Sequence, residues 1–174
     1  MIRFFVDYGD AGGFFLGQLV YRTNDLAFAM EPSPADADSC VEVNTLCLLV
    51  ERVTHSVEGV DGYCPYHSWR RRTLAAPRAR RGTLRVEGPE FKRGIAYGLN
   101  AAFDDSRWPI DCDPIAGVVC VGNSQAAPAA EAVEFASGCS VVLLGDQLVA
   151  LWLRPKEWPE VVAPEGVPAP GSGR

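Results

Sequence analysis

The segment 140–154 has the sequence SVVLLGDQLVALWLR and contains two apolar runs, 141–144 and 148–153. Gly145 and Asp146 separate the runs, and a glycine followed by Asn, Asp or Ser is a signal for a two-residue β-hairpin turn. Both runs are apolar at odd and even positions alike, which is typical of strands that are covered on both faces. The segment therefore predicts a hairpin in the middle of a sheet, with the rest of the chain packed around it.

Aromatic and β-branched runs elsewhere predict further strands. Residues 2–8 and 14–22 flank a glycine-rich turn and predict a hairpin at the N-terminus. Residues 40–53 predict one strand that enters the sheet, whereas 54–82 predict a long irregular connection. Shorter strands are predicted at 83–86, 115–121 and 133–135.

The segment 89–103 carries the best helix signal of the chain. Pro89 suits the first helical position and Glu90 suits the positive N-terminus of a helix. Apolar residues follow at helical spacing: Phe91, Ile95, Leu99 and Ala102. We therefore predict a strand-dominated α+β fold, a mostly antiparallel sheet with one covering helix at about residues 89–103. If 91–99 is instead a strand, the alternative is an all-β sandwich.

Length and composition predict a single globular domain at 1–154 and a proline-rich C-terminal tail at 155–174. The 174 residues are 48% hydrophobic and 22% charged, which is ordinary for a globular protein. No apolar run approaches the roughly 20 residues that span a bilayer, and the first ten residues do not resemble a secretory signal. We therefore expect a cytoplasmic protein without a membrane partner, whose six cysteines are reduced thiols.

The charge of the chain is distributed unevenly. The net charge is −6, and without six clustered arginines it would be −12. The six are Arg70, Arg71, Arg72, Arg78, Arg80 and Arg81. An acidic body repels nucleic acid and anionic membranes and attracts basic partners.

Four carboxylates surround a tryptophan in the segment 104–113. The residues are Asp104, Asp105, Trp108, Asp111 and Asp113. Their spacing lacks the Asp-x-Asp-x-Asp-Gly pattern of a calcium loop. Carboxylates steer the encounter with a basic protein, and a tryptophan supplies buried area in the complex. The segment therefore predicts a partner-binding surface, with a solvated loop that turns Trp108 into the core as the alternative.

Zinc or cysteine chemistry is conceivable in the segment 55–67, which contains His55, Cys64 and His67. Cys64 and His67 have a permissible spacing for one pair of zinc ligands, but a structural zinc site usually shows two such pairs. Cys64 could also act as a nucleophile with either histidine as base, although no family-specific cysteine signature is present. We favour a surface loop with a partly buried thiol, and we predict no catalytic residue and no cofactor.

The arginine-rich segment 70–81 suggests weak binding of single-stranded nucleic acid, with Trp69 stacking on a base. The opposite charge of the remaining chain disfavours such binding. We therefore expect a solvated basic loop that folds onto the protein's own acidic surface.

Taken together, these features predict a small acidic cytosolic protein that sequesters or neutralises a basic protein partner. The physical analogy is an immunity protein or antitoxin that inhibits a toxin domain. One alternative is a metalloprotein or cysteine-dependent enzyme that uses residues 55–67. The other is a structural or assembly protein whose arginine loop and proline-rich tail contact neighbouring subunits.

Overall fold

The computed structural model of the protein describes residues 1–9, 14–100, 106–125 and 130–162. Strands account for 54% of the structure and helical turns for 4%, and the described residues form no helix of seven or more residues. Short 3-10 turns lie at Tyr66–Ser68 and Glu160–Val162. The strands are β1 (Arg3–Asp7), β2 (Phe15–Arg22), β3 (Ala27–Glu31), β4 (Ala37–Val43), β5 (Leu46–Glu51), β6 (Val57–Tyr63), β7 (Arg70–Arg71), β8 (Arg80–Arg81), β9 (Thr83–Glu87), β10 (Ala96–Gly98), β11 (Ile110–Asp113), β12 (Val118–Gly122), β13 (Glu131–Ser137), β14 (Cys139–Leu144) and β15 (Gln147–Leu153).

A curled sheet of twelve strands in the shape of a half-barrel dominates the architecture. Its strand order is β10-β4-β5-β6-β3-β2-β13-β14-β15-β12-β11-β7, and β8 also pairs with β13. β1 and β9 form a separate antiparallel ribbon. The ribbon is tied to the sheet because Phe4 N donates to Asp146 O at 2.9 Å and Val86 N donates to His55 O at 3.0 Å.

The predicted hairpin at 140–154 is confirmed. β14 and β15 pair up to Leu144 and Gln147, so that Gly145 and Asp146 form the two-residue turn. The φ angle of +64° at Gly145 lies in the left-handed region that glycine adopts readily. The hairpin lies between β13 and β12, inside the sheet.

Both faces of this hairpin are buried, as its continuous apolar sequence predicts. One face contributes to the main core, which includes Val141, Leu151 and Leu153. The opposite face forms a second cluster, onto which Leu74 packs from a segment that crosses the outside of the sheet. The members of this second cluster are Val118, Cys120, Val142, Ala150 and Trp152.

The predicted covering helix at 89–103 is wrong. Residues 96–98 form β10, which pairs in parallel with β4, and Leu99 N donates to Glu42 O at 2.8 Å. Gly94 has a φ angle of +70°, which is incompatible with a continuous right-handed helix. Pairing with the β4 edge supplies the backbone hydrogen bonds that a helix would have made internally. The all-β sandwich also differs from the structure, in which all strands except the β1–β9 ribbon form one curled sheet.

The predicted N-terminal hairpin is also wrong. β1 pairs with β9, from Arg3 opposite Glu87 to Asp7 opposite Thr83, while β2 pairs with β3 and β13. The connection 10–13 lies outside the described residues. The glycine-rich turn after β1 predicted pairing with β2, whereas the true partner is β9, about 80 residues further along the chain.

The segment 40–53 forms two strands rather than one. β4 and β5 are joined by a two-residue turn at Asn44 and Thr45, with Val43 opposite Leu46. Asn44 has a φ angle of +56°, which asparagine tolerates better than most residues. The segment 54–82 likewise contains a full strand, β6, in place of the irregular connection that we predicted.

The beginning of the predicted tail docks on the domain. Lys156 N donates to Leu19 O at 2.8 Å, and the ring of Trp158 lies 6.0 Å from that of Trp69. Residues 163–174 of the predicted tail lie outside the described residues. None of the helices in the described ranges is long or apolar enough to cross a membrane.

Candidate functional site

Two carboxylates of the predicted partner-binding segment lie inside the structure. Asp111 and Asp113 belong to β11 and are buried. Asp113 accepts hydrogen bonds from the backbone N–H groups of Leu74, Ile115 and Ala116 at 2.9–3.0 Å. These bonds, led by that from Leu74, hold the pKa of Asp113 below its usual value. Asp104 and Asp105 lie outside the described residues.

Trp108 is half-buried and is held by a buried asparagine. Asn44 Nδ2 donates to Trp108 O, and Trp108 N donates to Asn44 Oδ1, both at 2.9 Å. Asn100 adds two further bonds of 2.9 Å to the same asparagine. The indole lies against Gly122, where a Cβ atom would come within 2.8 Å of the ring. The backbone of Trp108 is therefore held by Asn44, and its indole packs closely against Gly122.

The arginine-rich segment 70–81, here called the arginine strap, is folded onto the sheet. Its ends form β7 beside β11 and β8 beside β13. Arg70 Nε lies 2.7 Å and Arg72 Nε 3.5 Å from Asp111 Oδ1, while Arg81 Nε lies 3.2 Å from Glu134 Oε2. The strap therefore pairs with carboxylates of its own chain, as the interpretation of a self-neutralising basic loop predicts.

Trp69, which the sequence places next to the arginines, belongs to the core. It is 7% exposed, and its ring lies 5.0 Å from Tyr21 and 5.9 Å from Phe28. This packing leaves the strap without the stacking tryptophan that the nucleic-acid hypothesis assigned to it.

The three candidate zinc ligands have separate environments. His55 lies edge-on against Phe91 at 5.4 Å, and His67 is exposed. The Cys64 thiol is buried and accepts a hydrogen bond from Trp69 Nε1 at 3.3 Å. Burial raises the pKa of Cys64 to about 11, so the thiol is protonated at neutral pH. Within the described ranges, no three His, Cys, Asp or Glu side chains are placed to hold a metal ion.

The candidate functional site is the outward side of β4, β5 and β6, here called the acidic face. Buried and half-buried positions alternate in β4 and β5, so that Val41 and Leu48 point into the core while Glu42 and Glu51 point outward. Its carboxylates, including one from the loop before β4, are Asp36, Asp38, Glu42, Glu51, Glu58 and Asp61.

Two of these carboxylates stabilise the local fold. Asp38 pairs with Arg52 at 2.6 Å, and Glu51 accepts hydrogen bonds from the N–H groups of Val53 and Thr54. Thr54 Oγ1 also donates to Glu51, at 2.6 Å. These hydrogen bonds, of which that from the Thr54 side chain has the largest effect, hold the pKa of Glu51 below its usual value. The other four carboxylates of the acidic face form no ion pair with any residue in the described ranges.

Glu58 lies in an unfavourable electrostatic environment, which a hydrogen bond with the Ser56 side chain offsets only in part. It lies where the pairing of β5 and β6 shifts register, between Leu49 and Val50 of β5. Partial burial raises the pKa of Glu58, and the neighbouring charges of Glu51 and Asp36 raise it further. A cation placed next to Glu58 would relieve this unfavourable charge.

A cleft of about 740 Å3 opens beside Glu58. Its lining combines four carboxylates of the acidic face with the guanidinium groups of Arg52, Arg85 and Arg93. Two of these arginines already have partners, since Arg52 pairs with Asp38 and Arg85 Nη1 donates to Thr54 O at 2.7 Å. The cleft is therefore large enough to accept a side chain from a partner and has an excess of negative charge.

The centre of the acidic face is apolar. Cys40, Cys47 and Leu49 are half-buried and lie between the carboxylates at the two ends of the strands. An apolar centre with a charged rim is the usual composition of a protein–protein interface.

No protein-family model, curated protein or solved structure matches this chain. The acidic face therefore has to be interpreted from its own geometry. The acidic face could not be predicted while β6 was taken as part of an irregular connection over 54–82. The alternation in 40–43, together with the carboxylates of Glu51, Glu58 and Asp61, is the signal that could have located it.

Proposed function

We propose that the protein is a binding protein that neutralises a basic protein partner, with the acidic face as the docking surface. Its mode of action would be that of an immunity protein or antitoxin that covers the functional surface of a toxin domain. The proposal includes a cytosolic location, which suits a protein with six free cysteines.

The observation that carries the proposal is the position of Glu58. It is a half-buried carboxylate beside two other carboxylates and a cleft, and it forms no ion pair with a described residue. Two other carboxylates of this chain, Asp111 and Glu134, are paired with arginines. A lysine or arginine side chain from a partner would supply the missing charge.

The remaining features of the acidic face support the same role. Glu42 and Asp61 carry negative charge at the far ends of their strands and would increase the rate of encounter with a basic surface. Leu49 and the two cysteines offer apolar area at the centre. The arginine strap pairs with carboxylates at other strands, so its positive charge does not neutralise this face.

The proposal is tested by capture of partners from the source cells at low salt, with immobilised wild-type protein and two variants. Glu58→Gln removes the half-buried charge beside the cleft of the acidic face. Glu157→Gln makes the same chemical change at an exposed glutamate away from the acidic face, and so keeps the net charge equal. We expect a stoichiometric basic protein to bind the wild type and Glu157→Gln, and to be lost or strongly reduced with Glu58→Gln.

The purified partner then allows a kinetic test. Glu42→Gln combined with Asp61→Asn should slow association and flatten its dependence on salt. Asp25→Asn combined with Glu157→Gln is the matched control, because both residues are exposed and unpaired in the described structure. Equal losses in the two double variants would show that net charge alone controls association and would refute the acidic face as the docking surface.

A further inference from the structure

A second groove, of about 630 Å3, lies at the opposite end of the strand order from the acidic face. We call it the Trp108 groove. Its volume lies within the range of pockets that bind small molecules, about 300–1,000 Å3. Its lining includes Arg70, Arg72, Trp108, Asp111, Asn123 and Gln125.

Two arginines in the Trp108 groove are oriented by one buried carboxylate. The Nε atoms of Arg70 and Arg72 both contact Asp111 Oδ1, and the Asp111 side chain is only 3% exposed. The two arginine side chains are 51% and 56% exposed. In the described ranges, the terminal Nη groups of these arginines form no hydrogen bond, so they are available to an anion.

The charge of this arrangement favours an anionic ligand. Two guanidinium groups and one carboxylate leave an excess of one positive charge. Guanidinium groups form bidentate, charge-assisted hydrogen bonds with phosphate oxygens, and their planar geometry suits this anion. Because Asp111 already holds both arginines, little side-chain freedom is lost when an anion binds.

Trp108 supplies an aromatic wall in the same groove. Its backbone is fixed by Asn44, and Gly122 lets the indole lie close to β12. The indole is half-buried, and its remaining surface can stack on a planar ring, an interaction worth about 1–3 kcal/mol for a nucleic acid base. The side-chain amides of Asn123 and Gln125 add groups that can donate to and accept from the polar edge of such a ring.

We propose that the Trp108 groove binds a small molecule in which a planar aromatic ring carries a phosphate group, the chemistry of a nucleoside monophosphate. The phosphate lies between Arg70 and Arg72, and the ring stacks on Trp108. The assignment is independent of the acidic face and of its partner.

The test uses three probes with the full-length protein: adenosine 5′-monophosphate, adenosine and inorganic phosphate. Calorimetry and the NMR signal of the Trp108 indole N–H report binding. We expect saturable binding of adenosine 5′-monophosphate that is tighter than that of adenosine or phosphate alone. Arg72→Gln should weaken it by about tenfold or more, the effect of removing a hydrogen bond to a charged group.

Arg78→Gln is the matched control. Arg78 belongs to the same strap and is exposed, but it does not line the groove and forms no ion pair with a described residue. It should leave the affinity almost unchanged. If Arg72→Gln and Arg78→Gln lose the same affinity, the net charge of the strap explains the effect, and the proposed site is overturned.

Three other results would also overturn the proposal. One is the absence of saturable binding of adenosine 5′-monophosphate. Another is binding of adenosine 5′-monophosphate that is no tighter than that of phosphate, because the ring would then contribute nothing. The third is a thymidine oligonucleotide that binds far more tightly than the monophosphate with a steep salt dependence, which would assign the groove to single-stranded nucleic acid. The indole N–H shift in the wild type decides whether Trp108 is involved even if a Trp108 variant fails to fold.

Discussion

The Nε atom of Arg70 lies 2.7 Å from Oδ1 of Asp111, although the two residues are 41 positions apart in the sequence. They are also opposite each other in the parallel pairing of β7 with β11. The ion pair therefore joins the basic segment and the acidic segment, which look like two separate binding surfaces in the sequence. Asp111 pairs with Arg70 and Arg72, so the two segments form one charged cluster with an excess of one positive charge.

Asp111→Asn should lower the free energy of unfolding by about 1–3 kcal/mol, because it removes the buried charge that holds two arginines. Urea denaturation followed by far-UV circular dichroism measures this loss. Asp25→Asn is the control, since it removes the same charge from an exposed turn and should have little effect. An equal change in both variants would show that the pairing with Arg70 and Arg72 contributes nothing to stability.

The strands that could be predicted from the sequence are those whose signal is local. The hairpin at Gly145 follows from a turn signal between two apolar runs. The burial of both its faces follows from the continuous apolar sequence of those runs. The partner of β1 could not be predicted, because pairing with β9 depends on contacts between residues about 80 positions apart. β10 was mistaken for a helix because an apolar spacing of three to four residues over a short segment does not separate the two structures, and only the β4 edge decides between them.

The candidate site was less predictable than the fold. The sequence predicts Trp108 and Asp111 as partner-binding residues, but it does not show that Asp111 pairs with two arginines of the strap. In the sequence, Glu58 is one of several potential metal ligands in the segment 55–67. The raised pKa of Glu58 depends in part on Glu51 and Asp36, which come close to it only when β4, β5 and β6 pair.

Glu58→Gln should stabilise the isolated protein at neutral pH. The folded protein binds the Glu58 proton at a higher pH than the unfolded chain does, because its pKa is raised by partial burial and by Glu51 and Asp36. Stability contributed by this group is therefore lost as the pH rises from the usual glutamate pKa of about 4.3 through the raised folded value. We expect a gain of less than about 1 kcal/mol for the variant at neutral pH, since solvent screens this half-buried group.

The pH dependence distinguishes this effect from a general change in stability. The difference between Glu58→Gln and the wild type should vanish below about pH 4, where the wild-type carboxyl is protonated in both states. Urea denaturation at several pH values measures it, with Glu157→Gln as the control. A variant that is less stable than the wild type at neutral pH would show that Glu58 serves the fold. A variant that is more stable but no longer binds the partner would show that Glu58 serves binding.

Cys47 should react with iodoacetamide before the other cysteines. Cys40 lies opposite Leu49 and Cys47 opposite Glu42, so the two thiols are diagonal neighbours on the acidic face. The hydrogen bond between them lowers the pKa of Cys47 and raises that of Cys40. The remaining cysteines are buried. We expect alkylation of Cys47 to be about tenfold faster than that of any other cysteine, measured by mass spectrometry of the native protein.

Two substitutions of Cys40 test the cause of this reactivity. Cys40→Ala removes the donor and should slow alkylation of Cys47, even though the smaller side chain exposes it more. Cys40→Ser keeps a hydroxyl donor at the same position and should preserve much of the rate. If Cys40→Ala accelerates the reaction, exposure and not hydrogen bonding controls the reactivity of Cys47.

Asn44 should be among the most sensitive polar residues of the chain. Its side chain makes three hydrogen bonds of 2.9 Å, two with the backbone of Trp108 and one with Asn100, and it is 1% exposed. Asn44→Gly keeps the left-handed backbone and removes only the side chain. We expect a loss of roughly 2–4 kcal/mol in the free energy of unfolding, because each bond contributes about 0.5–1.5 kcal/mol and buried partners are left unpaired.

Asn44→Ala separates the backbone from the side-chain contribution. It removes the same hydrogen bonds and also forces a Cβ-bearing residue without a local hydrogen bond to adopt a φ angle of +56°, which costs about 1–2 kcal/mol more. Urea denaturation should therefore give Asn44→Ala a lower free energy of unfolding than Asn44→Gly. Asn24→Gly, at an exposed turn position, is the control. In both Asn44 variants the indole N–H signal of Trp108 should broaden or shift, because the Trp108 backbone loses its anchor. A sharp, unshifted signal in a destabilised variant would show that Asn44 stabilises the β4–β5 turn without positioning Trp108 in its groove.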